Sequence, residues 1–164
     1  MAYHLRKRRK TPRAPLNRPV QFEFDGKKHM GKGVEVGIGG MSVWSDKIPS
    51  KGKMVTVNFS LPGSAKRIVA MAEIAWSRPA IKGKRKGRMG VRFVALPREE
   101  RGEIRSFVTR LAKHYRDLHI LLAMNKWKLE HLRELAKKVN LSSYRDVKEL
   151  KERVTKAMDG FRSS

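Results

Sequence analysis

A change of hydrophobic period at Pro97 constrains this chain more than any other feature. Before it, apolar residues alternate in short runs: VQFEF at 20–24, MVTVNFSL at 54–61 and RMGVRFVAL at 88–96. A longer mixed run, RIVAMAEIAWS, occupies 67–77. A period of two sends every second side chain to one face of a strand, the pattern of a half-buried sheet. The links DGKK, PSKGK, PGSAK and KGKRKG carry the glycine, proline and aspartate that turns require. Strands at this spacing from about 16 to 96, with no helix between them, predict an antiparallel barrel or sandwich.

Beyond Pro97 the period becomes helical. Ile104, Phe107, Val108, Leu111, Tyr115, Leu118 and Leu122 fall on one stripe. Pro97 suits a first turn, and Glu99 and Glu100 suit the positive end of a helix dipole. Two shorter amphipathic segments follow at 128–139 and 144–158, joined by NLSS. Asn140 is expected to stop the first of them, and Ser142 or Ser143 to cap the second. The expected organisation is a basic arm over 1–18, a barrel with a flanking helix over 19–118, and a basic helical extension over 119–164.

Charge selects the class of partner. The chain has 39 Lys+Arg against 15 Asp+Glu, a net +24, beside 40% hydrophobic residues that supply a core. Such a field attracts phosphate-bearing partners: nucleic acid, anionic lipid or a charged nucleotide. The absence of cysteine excludes disulfides, thiolate nucleophiles and Cys-based zinc sites. No apolar run approaches the roughly 20 residues that cross a bilayer, and MAYHLRKRRK lacks the apolar segment of a secretory signal. A cytoplasmic protein without a membrane span is expected. His4, His29, His114, His119 and His131 are scattered; the spacing of His114 and His119 does not align two imidazoles on one helical face, so no metal site is expected. There is no nucleophile elbow, Walker loop or dense carboxylate cluster, so neither catalysis nor a cofactor is expected.

Two stretches carry chemistry: RRKTPRAPLNRPV at 8–20 and GKGVEVGIGGMSVWS at 31–45. Glycines in GIGG permit positive φ and close approach of a ligand, although the pattern alone describes an ordinary bulge or hairpin turn. The order Arg9-x-x-x-Arg13, then Glu35-x-Gly37-x-x-Gly40, then EIAWSR at 73–78 and GVRF at 90–93 resembles the PilZ domain family. These are bacterial β-barrels that bind the second messenger cyclic di-GMP. The resemblance implies a mainly β protein, a six-stranded antiparallel barrel with an α-helical C-terminal extension. It implies that Arg9 and Arg13 clasp cyclic di-GMP, that Arg8 and Lys10 add charge, and that Glu35 reads a guanine edge. It also implies that Gly37 belongs to the binding motif and that Gly40 allows the turn. Where the family has aspartate or asparagine this chain has Glu35, and where it has serine this chain has Gly37. A lost hydrogen bond to a charged ligand is worth roughly 1.5–3 kcal/mol, so the resemblance implies weaker binding than an intact motif gives. Binding would order the arm and be passed to a macromolecular partner.

The segment 129–158 resembles the SAP-type DNA-binding motif through its leucines, LSS at 141–143 and EL-x-ER-V at 149–154. That resemblance implies phosphate contacts from Lys128, Arg133, Lys137, Lys138, Arg145 and Lys148. Lys84, Arg85 and Lys86, in the basic turn IKGKRKGRM, point to a second polyanion. The alternatives are a DNA-binding protein whose barrel has lost the nucleotide, and helices that bind a protein partner or pack on the barrel.

Overall fold

The computed structural model describes residues 11–81, 83, 86–124, 127–141 and 143–162. Packing divides the chain into two compact units, Arg13–Val108 and one that includes the chain from Thr109 onward. The first unit holds six strands: β1 (Ala14–Phe24), β2 (Lys27–Gly37), β3 (Gly40–Ser45), β4 (Met54–Ser60), β5 (Arg67–Arg78) and β6 (Gly87–Ala95). They close as a barrel in the order β1-β2-β3-β6-β5-β4. Every neighbouring pair is antiparallel. Of the two architectures that alternation allowed, the barrel is the one formed. Phe22, Met41, Phe59, Ile74 and Met89 are fully buried inside it.

Local chemistry sets the turns. Between β1 and β2, Asp25 and Gly26 both take positive φ, 53° and 73°. This is the turn whose twist matches two paired strands, and Asp-Gly is its favoured pair. β1 starts earlier than the alternation of VQFEF predicts, because Asn17 adopts φ 49° at a bulge between Pro15 and Arg18. Asparagine tolerates that conformation, so the strand absorbs an extra residue and continues. Ala14 and Leu16, an even number of residues from Val20 and Phe22, lie in the core with them.

A second bulge re-aims β2. A Cβ at Gly33 would meet Leu16 Cδ2 at 2.5 Å and Val20 Cγ2 at 2.9 Å, so Gly33 faces inward. Val36 is fully buried as well. Strict alternation cannot place both on one face. The register shift between Gly33 and Glu35 opposite β3 inserts one residue and reverses the phase. Glu35 is turned outward as a result.

Helix α1 (Arg98–Ala123) begins within the barrel unit. Lys66, in the β4–β5 loop, donates to Glu99 at 2.8 Å and to Glu103 at 2.9 Å. The hydrogen bond to Glu99 raises the Lys66 pKa most, and the same contact lowers that of Glu99. Both side chains are solvated, so this clamp orients the helix start more than it stabilises it.

The second unit contains the rest of α1, α2 (Leu129–Lys138) and α3 (Val147–Phe161). The whole α1 stripe read from the sequence, Ile104 to Leu122, is buried. Leu132, Leu135, Leu150 and Val154 are buried on the shorter helices. Asn140 ends α2 at φ 60°, and Leu141 N–H donates to the Ala136 carbonyl at 2.8 Å. That is the left-handed stop expected of Asn140. The cap of α3 differs from expectation. Asp146 holds that position rather than Ser143, and accepts from the Glu149 amide at 2.8 Å; Ser142 lies outside the described residues. Glu149 reaches back to the Arg145 amide at 2.7 Å. A carboxylate at the positive end of a helix gains charge stabilisation that a hydroxyl lacks, so the start moves to Asp146. The Tyr115 ring lies 5.5 Å from that of Phe161. Burial pushes the Tyr115 hydroxyl up to about 12, with the charge of Arg153 opposing the shift.

Candidate functional site

Where β1 begins and β2 ends, Ala14 pairs with Val36 and Pro15 with Glu35. Arg13 immediately precedes this pairing and Gly37 immediately follows it. The Arg13 Nη1 stands 3.6 Å from Glu35 Oε1, and each side chain is 18% exposed. The β2 bulge makes this possible, since unbroken alternation would have directed Glu35 inward. A guanidinium fork beside a carboxylate offers five donors and an acceptor pair within one small area.

Gly37 pairs with Gly40, and Ile38–Gly39 turns the chain between them. Phe93 N–H donates to the Gly39 carbonyl at 2.9 Å, which ties the turn to β6. Gly40 is required by packing: a Cβ there would lie 2.1 Å from the Val91 carbonyl oxygen. Gly40 thus holds the hairpin against its neighbour, and Arg13 and Glu35 supply the polar groups.

The sheet face beyond this pair carries a row that sequence reading did not select. Ser42 pairs with Glu35 on one side and with Gly90 on the other. The Trp76 indole covers Gly90, where an added Cβ would meet Nε1 at 2.0 Å. The Arg88 guanidinium lies 5.9 Å from the Trp76 ring and 5.3 Å from the Trp44 ring. Arg78 lies 5.4 Å from the other participant, Trp76. Cations and indoles therefore alternate across three adjacent strands. The signal was present in the outward phase of MSVWS and AWSR, but only the register β5-β6-β3 brings the three segments together.

Arg8, Arg9 and Lys10, and Lys84 and Arg85 of the basic turn, lie outside the described residues. Lys86 is exposed beside Trp44. Lys128, Arg133, Lys137 and Lys138 are exposed on or next to α2, and Arg145 and Lys148 are exposed at the start of α3. Arg145 is engaged with Glu149 at 3.2 Å. Among the described residues no cluster of His, Asp or Glu could hold a metal ion, and no helix is long and apolar enough to cross a membrane.

A closed six-stranded antiparallel barrel, entered beside a glycine-closed hairpin and followed by a helix, defines a PilZ-type barrel. The family model for the PilZ domain matches residues 7–110, and the chain belongs to that family. Its fold is similar to that of the inhibitor of motility MotI/DgrA from Bacillus subtilis, with TM-score 0.52 and 15% identity over 63% of this chain. The match covers 51% of the Bacillus protein, so this chain spans about half of that length. It is also similar to the PilZ domain of YcgR from Escherichia coli, solved with c-di-GMP. Here the TM-score is 0.52 and the identity 16%, over 68% of this chain and 96% of that one. A comparison with curated protein sequences finds no match.

Proposed function

We propose that this protein is a non-enzymatic receptor for cyclic di-GMP that passes nucleotide binding to a macromolecular partner. One observation carries the reading: Arg13 and Glu35 stand 3.6 Å apart on the outer face of a PilZ barrel. Cyclic di-GMP presents two phosphates and two guanines. The Arg13 fork suits phosphate oxygens or the O6/N7 edge of guanine, and the Glu35 carboxylate suits the N1–H and N2 donors on the opposite edge. Without nucleotide the two side chains screen one another. The ligand exchanges that largely buried pair for two charge-assisted contacts. Arg9, four residues earlier, is the second fork, and Arg8 and Lys10 deepen the positive potential. Trp76, half-buried over Gly90, offers a ring on which a guanine can stack. The YcgR domain, similar in fold and solved with c-di-GMP, supports this reading.

Gly37 lacks the hydroxyl of the family serine, so affinity falls about tenfold below that of an intact site. Calorimetry with cyclic di-GMP on the wild type, Arg9→Ala and Arg13→Ala tests the clasp. Each substitution is expected to weaken binding about tenfold or more. Equal affinity in all three proteins would remove the arginines from the site.

A further inference from the structure

We infer that the sheet face around Trp44 is a second binding site, for single-stranded nucleic acid, distinct from the Arg13–Glu35 pair. Trp44 stands on the outward phase of β3 and leaves 38% of its surface exposed. It is also held in place. The Arg88 guanidinium lies 5.3 Å from its ring and is anchored by a 3.2 Å hydrogen bond from Nη2 to the Ser42 hydroxyl. A large indole fixed open on a strand is the arrangement on which an unpaired base stacks.

Beside Trp44 runs a groove of about 230 Å³, bordered by Lys32, Lys86, Met30 and Asp46. It lies below the range of pockets that enclose a drug-sized ligand, and suits one flat ring rather than a whole cyclic dinucleotide. Lys32 is the cross-strand partner of Trp44, so an ammonium and an indole share one edge of the groove. Asp46 adds an acceptor for a base amino group and keeps the site from being a uniform anion trap.

Charge points to the same occupant. Two cations on the barrel are answered by carboxylates, Arg92 by Glu73 and Lys53 by Asp25. Among the described residues Lys32, Arg78, Lys86 and Arg88 form no ion pair. Uncompensated cations around an open indole match alternating phosphates and bases. Duplex offers only its phosphates, because its bases are already stacked and paired; a single strand can put a base on Trp44 and its phosphates on the lysines.

Fluorescence anisotropy with a labelled oligothymidine of about fifteen nucleotides, and with a duplex of equal length, tests this across a salt series. The single strand is expected to bind about tenfold tighter than the duplex. Trp44→Ala is expected to weaken single-strand binding about tenfold without altering the salt slope, and Trp44→Phe to restore most of it. Lys32→Ala is expected to reduce the log–log salt slope by about one. Arg13→Ala, which removes the proposed nucleotide clasp, is expected to bind the single strand as the wild type does, which separates this site from the proposed receptor site. Equal affinity for duplex, or wild-type affinity in Trp44→Ala, would overturn the inference and leave a surface that attracts polyanions by charge alone. A Trp44→Phe variant as weak as Trp44→Ala would also overturn it.

Discussion

Replacing Gly40 by alanine inserts one methyl group between β3 and β6. The added Cβ would sit 2.1 Å from the Val91 oxygen and 3.1 Å from the Val91 carbonyl carbon. A Cβ has no rotamer with which to escape, and the obstacle is backbone. Met41 and Val91, the next pair along, are both buried, so neither strand can slide away freely. Relief requires the strands to separate by about 1 Å, with an overpacking cost of roughly 1–3 kcal/mol. Stretching the adjoining ladder and the bond from Phe93 N–H to Gly39 adds about 1 kcal/mol. The expected destabilisation is about 2–4 kcal/mol. Urea unfolding should show it as a midpoint lowered by about 1–2 M at unchanged slope. Gly90→Ala provides the contrast. Its Cβ meets the half-buried side chain of Trp76, which can swing aside, so a smaller loss is expected. A Gly40→Ala protein within about 0.5 kcal/mol of wild type would refute the packing role assigned to this glycine.

The remaining expectations concern the helices. Gly102 lies in α1, where an added Cβ meets nothing, so Gly102→Ala should raise unfolding free energy by about 0.5–1 kcal/mol in the same urea assay. Asp146→Ala removes the side chain that accepts from Glu149 and should cost about 1 kcal/mol, read from helical circular dichroism on denaturation. Tyr115 is buried and its hydroxyl is pushed up to about 12, so one of the three tyrosines should ionise late in an absorbance titration, and Tyr115→Phe should abolish that late step. The raised value favours the neutral folded form. Its contribution is fully present below pH 10 and is lost as pH climbs towards 12, about 2–3 kcal/mol in total.

The parts of this fold that periodicity announces are those where one face is buried. VQFEF, MVTVNFSL and the Ile104–Leu122 stripe lie where alternation or helical spacing places them, because water excludes every second or every third to fourth residue. Asp25–Gly26 was readable as a turn because its conformation suits few other pairs. What periodicity missed are the departures from it. The bulge at Asn17 extends β1 to Ala14, and the bulge after Gly33 turns Glu35 outward; both leave little local signature. The choice of Asp146 over Ser143 as a cap depends on Glu149 answering from the next turn. The Trp44–Arg88–Trp76 row was invisible for another reason. Its members lie on three strands and meet only through the barrel register. Glu35 and Gly40 were marked by motif spacing, but the packing role of Gly40 required the Val91 carbonyl to be seen beneath it.

Isothermal titration of the full chain with cyclic di-GMP decides whether it is a receptor for that nucleotide. Saturable heat is expected at tens of micromolar ligand or below, reduced about tenfold in affinity by Arg13→Ala, the residue 3.6 Å from Glu35. No heat from the wild type at those concentrations would contradict that role.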